Sequence, residues 1–203
     1  MNSMIIDYIK TKYAPLSIIV YGSYADSTNN EHSDFDALVI SESHEVYHDT
    51  AFFDGVQLDV FVYPVSYFAA DCDPEEFVQI YDGKIIFDTS DIVQSLKSRV
   101  RSYVEERAIK SDEEINGLLD WLEKMRLRAK RNDAEGMFRR HWLLTDSLEI
   151  FCNVVKCPYF GPKKTLVWMK TAHPDAYRLY EKALNEFSDD SIDEWLLHLK
   201  NIK

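Results

Sequence analysis

The sequence predicts a two-domain α+β protein, with a mixed β-sheet and flanking helices in its first half and an all-helical bundle in its second. Short β-branched runs separated by turn residues fill the first half, and helical periodicity fills the second. The charge changes at the same place. Residues 1–98 contain four lysines, no arginine and 17 carboxylates, whereas residues 99–203 contain 19 basic and 18 acidic residues. We therefore predict a boundary between residues 90 and 110, with domains 1–97 and 98–203.

The strands of the first half are predicted from apolar runs that end at turn dipeptides. Asp54-Gly55 and Asp82-Gly83 are typical of such turns. The predicted strands are Leu16–Tyr21, Ala37–Ile40, Val56–Tyr63 and Lys84–Phe87.

The helices of the second half are predicted from their capping residues. Ser111 and Glu114 have the spacing of a capping box, which opens a helix, and Asp133 opens the next one. Gly161-Pro162 begins a shorter helix, and His173-Pro174 separates it from two more. A further helix is predicted to begin near Ser90, before all of these.

The composition limits the classes of function. Aromatic residues make up 13% of the 203 residues, which is enough for a folded core. The sequence contains no run of 18 apolar residues, and Met1–Lys12 does not resemble a signal peptide, so we expect neither a membrane span nor secretion. Three cysteines are interpreted as reduced thiols of a cytoplasmic protein. A net charge of −12 makes nucleic acid a poor partner.

The stretch that carries chemistry is an apolar strand that runs into Gly22-Ser23, followed by a polar loop and by Asp34-Phe35-Asp36. Residues two apart in an extended chain share a face, so Asp34 and Asp36 present two carboxylates together. Two like charges on one face are costly unless a cation lies between them, and oxygen ligands suit Mg²⁺. Gly22 allows the backbone to approach a phosphate, and Ser23 adds a hydroxyl and an amide at a helix N-terminus.

A third carboxylate lies inside an apolar run. Asp59 is the one acid in Leu58–Val62, and an isolated buried aspartate costs free energy. We therefore expect Asp59 to lie beside Asp34 and Asp36 on a neighbouring strand and to share their metal.

This order of motifs resembles the nucleotidyltransferase superfamily of DNA polymerase β. The pattern of that superfamily is Gly-Ser, then a polar loop, then Asp-x-Asp, and then a distal aspartate on a later strand. The resemblance covers residues 15–90 and includes Asp82–Asp88, interpreted as a hairpin typical of the smaller bacterial members.

The resemblance implies a reaction and a set of roles. Asp34 and Asp36 would bind two Mg²⁺ ions, Asp59 would join one of them, and Gly22 and Ser23 would hold the triphosphate of ATP or another nucleoside triphosphate. An acceptor hydroxyl would attack the α-phosphate, and pyrophosphate would leave.

The first domain has few cations with which to hold a triphosphate, so we look for them in the second. Lys163 and Lys164 stand at the start of a predicted helix, where they oppose the helix dipole. One of them, either Lys163 or Lys164, resembles the phosphate-binding lysine in the helical domain of kanamycin nucleotidyltransferase-like enzymes, although a solvated helix start explains them equally well. The basic stretch Lys124–Arg140 is interpreted as structural or as a partner of the acidic first domain.

One face of the helix that follows Asp133 is predicted to be polar, and it is either solvated or the lining of an acceptor cleft. Its members are His141, Thr145, Asp146, Glu149, Cys152, Asn153 and Lys156. Glu149 is a candidate general base, and His141 is a weaker one. The similar enzymes place a lysine one turn after their glutamate, whereas Asn153 stands here, and Asp59 is the alternative base.

The predicted function is Mg²⁺-dependent transfer of a nucleoside monophosphate, AMP from ATP, to a hydroxyl of a small molecule. The acidic first domain and the resemblance suit a cationic, aminoglycoside-like antibiotic as the acceptor. The alternative is an antitoxin-type minimal nucleotidyltransferase that binds or modifies a protein partner, and a large exposed apolar patch on the helical half would favour it. A homodimer is compatible with both.

Overall fold

The computed structural model describes residues 3–42, 45–69, 72–89, 91–131 and 133–202. The chain divides into two compact units, Met1–Val104 and Glu105–Lys203. The division falls within the helix Ile92–Ala108. The predicted assignment of a catalytic domain to residues 1–97 and of a substrate-binding domain to residues 98–203 stays a prediction.

The first unit is a mixed sheet with helices, as predicted for the first half of the chain. Its strands are β1 (Ser17–Val20), β2 (Phe35–Ser41), β3 (Tyr47–Asp49), β4 (Phe52–Phe53), β5 (Val56–Pro64) and β6 (Lys84–Asp88). Its helices are α1 (Ser3–Tyr13), α2 (Gly22–Asp26) and α3 (Ile92–Ala108), with 3₁₀ segments at Val65–Phe68 and Pro74–Ile80. The strands lie in the order β3-β5-β2-β1-β6, and β4 pairs with β5. The β2–β5 pair is parallel, and the other described pairs are antiparallel.

The central strands of this sheet are buried on both faces. Along β2, Phe35 and Val39 pack in the same cluster as Ile5 and Ile9 of α1. Leu38 and Ile40 point to the opposite face, where they pack in the same cluster as residues of α3. This two-sided burial explains why β1 and β2 are almost continuous apolar runs in the sequence rather than alternating ones.

The four predicted strands are confirmed as β1, β2, β5 and β6, and the Asp54-Gly55 turn joins β4 to β5 with both φ angles positive (50° and 78°). The predicted hairpin at Asp82–Asp88 is wrong. A 3₁₀ segment precedes this stretch, and β6 pairs with the distant strand β1 instead. Ser90, the predicted start of α3, lies outside the described residues.

Two elements that the sequence pattern does not predict, α1 and β3, are joined by a buried carboxylate. Asp49 Oδ2 accepts hydrogen bonds from Lys12 Nζ (2.7 Å) and from the Tyr13 hydroxyl (2.5 Å), and Asp49 Oδ1 accepts one from the Ala51 amide (3.1 Å). Burial disfavours the ionised form of Asp49, but these hydrogen bonds outweigh burial and lower the pKa of the carboxyl. The end of α1 is therefore fixed to β3.

The regular secondary structure described in the second unit consists of α-helices. Its helices are α4 (Asp112–Ala129), α5 (Ala134–Val154), α6 (Pro162–Ala172), α7 (Pro174–Glu186) and α8 (Asp189–Asn201). The predicted capping residues are confirmed: Ser111 and Glu114 form a capping box at α4, and Asp133 accepts a hydrogen bond from the Gly136 amide at the start of α5. Local capping chemistry therefore places these helix starts where the sequence predicted them.

Two arginines of the basic stretch have structural roles within the second unit. Arg126 is buried, and it binds Asp193 (Nε to Oδ1, 2.5 Å) and Asp189 (Nη1 to Oδ1, 3.1 Å) at the start of α8. Arg140 also binds Asp189, with Nη2 lying 2.7 Å from Oδ1. The acidic start of α8 therefore neutralises these two arginines.

The cysteines are all free. Cys72 and Cys152 are buried, and burial raises the pKa of Cys152 to about 12 and raises that of Cys157 as well. The thiols of Cys152 and Cys157 are therefore protonated and unreactive at neutral pH. Among the helices of the described residues, none combines the length and the apolar character that crossing a membrane requires.

Asp49→Asn is expected to lower the free energy of unfolding at neutral pH by about 2 kcal/mol, because the charge-assisted bonds from Lys12 and Tyr13 are lost. Folding lowers the pKa of Asp49 below its ordinary value of 3.8. Its contribution is therefore present above that value and disappears as the pH falls through the folded pKa.

Urea unfolding of the wild type and of Asp49→Asn at several pH values measures this difference. Asp7→Asn, which changes an exposed acid on α1, is the control and should be neutral. A stability difference between wild type and Asp49→Asn that stays constant from about pH 6 to about pH 2 would contradict this role of Asp49.

Candidate active site

Three predicted acids come together at one place in the first unit. Asp36 of β2 stands directly opposite Asp59 of β5 in the parallel register, and Asp34 immediately precedes β2. Each of the three offers a carboxylate oxygen, and these oxygens all lie within 4.8 Å of one another. Asp34 is exposed, and Asp36 and Asp59 are half-buried. The cluster can therefore reach solvent.

Strand alternation explains why the acids share a face. Successive side chains of a strand point to opposite sides, so Asp36 shares a face with Leu38, and Asp59 shares one with Phe61. Phe35 and Leu58, the neighbours of these acids, point to the other face and pack in the cluster that contains α1. The apolar neighbours thus anchor the two strands while the acids face away from that core.

Gly22 is the first residue of α2 and lies beside this cluster, with a φ of +64°. A side-chain Cβ at this position would overlap Asp36 Oδ2. The Tyr21 amide also donates a hydrogen bond to the Asp36 carbonyl (3.1 Å). Glycine is therefore required here both by the left-handed backbone and by the close approach of the Asp36 carboxylate.

Ser23 follows in the first turn of α2 and is half-buried. The N-cap residue, Tyr21, makes no side-chain capping hydrogen bond. The first amides of a helix have no acceptor within the helix, so those of Gly22 and Ser23 can donate to an anion beside the acids. A phosphate-binding role for this turn stays a prediction.

The acidic cluster changes the electrostatics of a neighbouring tyrosine. Tyr21 is buried, and burial raises the pKa of its hydroxyl. The negative charges of Asp59, Asp36 and Asp34 raise it further. Their joint effect on Tyr21 indicates a concentrated negative potential, which favours the binding of a cation.

His48 is a neighbour of the cluster that the sequence analysis missed. Its Nε2 lies 2.5 Å from Asp59 Oδ1. Its ring stacks on Phe61, with centroids 4.0 Å apart and an interplanar angle of 6°. The sequence carries no signal for this contact, because a three-residue strand is too short to show a period.

The other predicted site residues belong to the second unit. Glu149 is exposed on α5, and its charge, after burial, contributes to raising the pKa of Tyr159. Lys163 is exposed in the first turn of α6, and Lys164 Nζ lies 5.7 Å from the centroid of the Phe160 ring. Their predicted roles as general base and phosphate ligands stay predictions.

The predicted polar face of α5 is only partly correct. His141, Thr145 and Glu149 are exposed, but Cys152 and Asn153 are buried. Cys152 faces α6, whose Thr165 hydroxyl lies 4.0 Å from Cys152 Sγ. Cys152 and Asn153 therefore do not belong to the exposed polar face, whereas Lys156, just after α5, is exposed.

Gly22→Ala is expected to destabilise the first unit and to displace Asp36. Alanine in the left-handed region costs about 1–2 kcal/mol, and overpacking adds about 1–3 kcal/mol. Gly55→Ala is the matched control. Gly55 also has a positive φ of 78°, but no atom lies within 4 Å of the position that a Cβ would occupy.

Urea unfolding of the two variants separates the backbone cost from the overlap with Asp36. We expect Gly22→Ala to be less stable than Gly55→Ala by the overpacking contribution. Equal stabilities would mean that Asp36 does not pack against Gly22 as described.

The sequence that forms this site matches a known protein family. A family model described as a nucleotidyltransferase domain matches residues 3–118, and no curated protein sequence matches the chain. A similar solved structure is a nucleotidyltransferase-like protein from Exiguobacterium sibiricum 255-15, at 18% identity and a TM-score of 0.44, covering 98% of this chain and 72% of that one. The family match spans more than half of the chain and includes the three acids and Gly22-Ser23, so the chain belongs to the nucleotidyltransferase domain family.

Proposed function

We propose that this protein transfers a nucleoside monophosphate from a nucleoside triphosphate to a hydroxyl of a small molecule. The observation that carries the proposal is the cluster of Asp34, Asp36 and Asp59, whose oxygens lie within 4.8 Å of one another in a domain of this family. Membership of the family supports nucleotidyl transfer in general.

The donor set fits Mg²⁺. The three acids supply hard oxygen ligands, and Mg²⁺ is typically held by one or two carboxylates together with phosphate oxygens. Three adjacent carboxylates also repel one another, and a divalent cation relieves that repulsion. When bound, two such ions would activate the acceptor hydroxyl and neutralise charge on the phosphates. Asp34 and Asp36 would hold both ions, and Asp59 would hold one of them.

The residues of the chain would hold the triphosphate in two ways. The amides of Gly22 and Ser23, beside Asp36, would donate to phosphate oxygens. Lys163 and Lys164 would supply positive charge, because the first half of the chain contains only four lysines and no arginine. ATP is the proposed donor, in keeping with the resemblance to kanamycin nucleotidyltransferase-like enzymes.

The acceptor is proposed from the charge of the catalytic half of the chain. Residues 1–98 carry 17 carboxylates against four lysines, so they attract cations and repel polyanions such as RNA. A small cationic molecule with free hydroxyls, of the aminoglycoside type, fits this potential. Glu149, exposed on α5, is the proposed general base, and Asp59 is the alternative.

A second candidate function is binding of a protein partner. Leu127 and Leu197 are 70% and 59% exposed, and they line a groove of about 440 Å³ between α4 and α8. Exposed apolar grooves are common where proteins meet. This observation favours the antitoxin-like alternative, in which the chain binds or modifies another protein. A chain that no nucleotide stabilises in the next experiment would favour this candidate over the enzyme.

Asp34→Asn is expected to abolish Mg²⁺-dependent nucleotide binding. Melting curves with ATP, GTP, CTP and UTP, each with and without Mg²⁺, provide the measurement. A ligand at about 100 times its Kd stabilises a protein by ~2.7 kcal/mol, which raises the Tm by several degrees. We expect ATP to raise the Tm of the wild type only when Mg²⁺ is present.

Asp7→Asn should keep this rise in Tm, because Asp7 is an exposed acid on α1 away from the cluster. Asp34 is exposed, so its replacement should not unfold the chain. A Mg²⁺-dependent rise that persists in Asp34→Asn would refute the metal-binding role of Asp34.

Glu149→Gln distinguishes the two candidate bases. Loss of a general base typically lowers kcat by about 10²–10⁴, whereas the Mg²⁺-ATP melting shift should be unchanged, because Glu149 is not a proposed metal ligand. Transfer of label from α-³²P-ATP to an acceptor gives kcat. Glu186→Gln, an exposed glutamate of α7, is the control. Full activity in Glu149→Gln would exclude Glu149 and leave Asp59 as the base.

A further inference from the structure

The contact between His48 and Asp59 has no role in the reaction proposed above. His48 Nε2 lies 2.5 Å from Asp59 Oδ1, which is a short hydrogen bond. A carboxylate can only accept hydrogen bonds, so Nε2 carries the hydrogen and donates it. The bond thus restrains the rotamer of Asp59 and selects the tautomer of His48.

The position of the His48 ring is fixed by β5 itself. His48 stands opposite Phe61 in the antiparallel β3–β5 pair, and the two rings stack almost in parallel. Phe61 follows Asp59 by two residues and therefore points to the same face of the strand. The imidazole lies flat on Phe61, and its edge reaches diagonally to Asp59.

The strand that carries His48 is fixed at its next residue as well. Asp49 is buried and accepts hydrogen bonds from Lys12 and Tyr13 at the end of α1. Movement of β3 along β5 would break these bonds. The His48 ring, which carries the donor to Asp59, is therefore held in place by stacking on Phe61 and by the buried hydrogen bonds of Asp49.

The His48–Asp59 pair contributes little to the stability of the fold. The side chains of His48 and Asp59 are 44% and 33% exposed. Pairs at this level of exposure contribute little to the free energy of unfolding, because water screens their charges. The placement of His48 therefore has its main effect on Asp59.

We propose that His48 is a positioning residue that orients Asp59 for a divalent cation. The inference rests on the proposed function, because it takes Asp59 as a metal ligand. A carboxylate has two oxygens, so a hydrogen bond to His48 at Oδ1 leaves Asp59 with the capacity to bind a metal. Loss of such an outer hydrogen bond typically lowers metal affinity about 10–100-fold.

Two variants separate the donor of His48 from its ring. His48→Phe keeps an aromatic ring that can stack on Phe61 but removes the donor. His48→Gln removes the ring but keeps an N–H donor at a similar reach. His198→Gln is the matched control, because this half-buried histidine also stacks on an aromatic ring, Trp195, in the second unit.

Titration of the intact chain with Mn²⁺ alone, followed by electron paramagnetic resonance of the free ion, measures the effect without any requirement for activity. We expect His48→Phe to weaken Mn²⁺ binding about 10-fold or more, and His48→Gln to stay within about threefold of the wild type. In an Asp59→Asn background, His48→Phe should have no further effect, because the residue acts through Asp59. The Tm without metal should be the same for His48→Phe and His198→Gln.

Each contrary outcome identifies what has failed. Wild-type affinity in His48→Phe would overturn the positioning role and leave the proposed function intact. Equal losses in His48→Phe and His48→Gln would overturn it too, because the ring rather than the donor would then matter. A wild type that binds no Mn²⁺ would overturn the proposed function together with this inference, whereas a wild type that binds Mn²⁺ but transfers nothing would overturn the proposed function alone.

Discussion

The parallel pairing of β2 with β5 is the constraint on which the candidate site depends. Its register places Asp36 directly opposite Asp59. A shift of β5 by one residue would turn Asp59 toward the core that holds Leu58 and Val60 and would bring those side chains to the acidic face. Because Leu58 and Val60 are buried while Asp59 is only half-buried, such a shift would also expose apolar residues and bury a charge. The hydrophobic core that stabilises the first unit thus also holds the carboxylates side by side.

The residues around the cluster accommodate three carboxylates that lie close together. Gly22 leaves room for the Asp36 carboxylate, and His48 donates to Asp59. Burial raises the pKa of the neighbouring Tyr21 hydroxyl, and the charges of Asp59, Asp36 and Asp34 raise it further. Three adjacent carboxylates are suited to bind a divalent cation, and this property connects the fold to nucleotidyl transfer. By contrast, Arg126 and Arg140 of the second unit are already paired with the acidic start of α8.

The parts of the site that the sequence predicted depend on local rules. The two-residue period of a strand places Asp34 and Asp36 on one face, and a lone acid in an apolar run identifies Asp59. The parts that it did not predict depend on distant pairing. His48 reaches Asp59 only because β3 pairs with β5, and β6 pairs with β1 rather than forming the predicted hairpin. Likewise, Cys152 of the predicted polar face of α5 is buried and lies against Thr165 of α6, a contact that the period of one helix does not reveal.

The central claim is that three carboxylates from two adjacent strands hold the divalent cations of a nucleotidyl transfer. Its most direct test is a crystal of the full chain grown with Mn²⁺ and a non-hydrolysable ATP analogue, with anomalous diffraction measured at the manganese edge. We predict anomalous peaks in direct contact with Asp34, Asp36 and Asp59, bridging to the triphosphate. Manganese bound to the analogue but not to these carboxylates, or anomalous density only elsewhere on the chain, would contradict the claim.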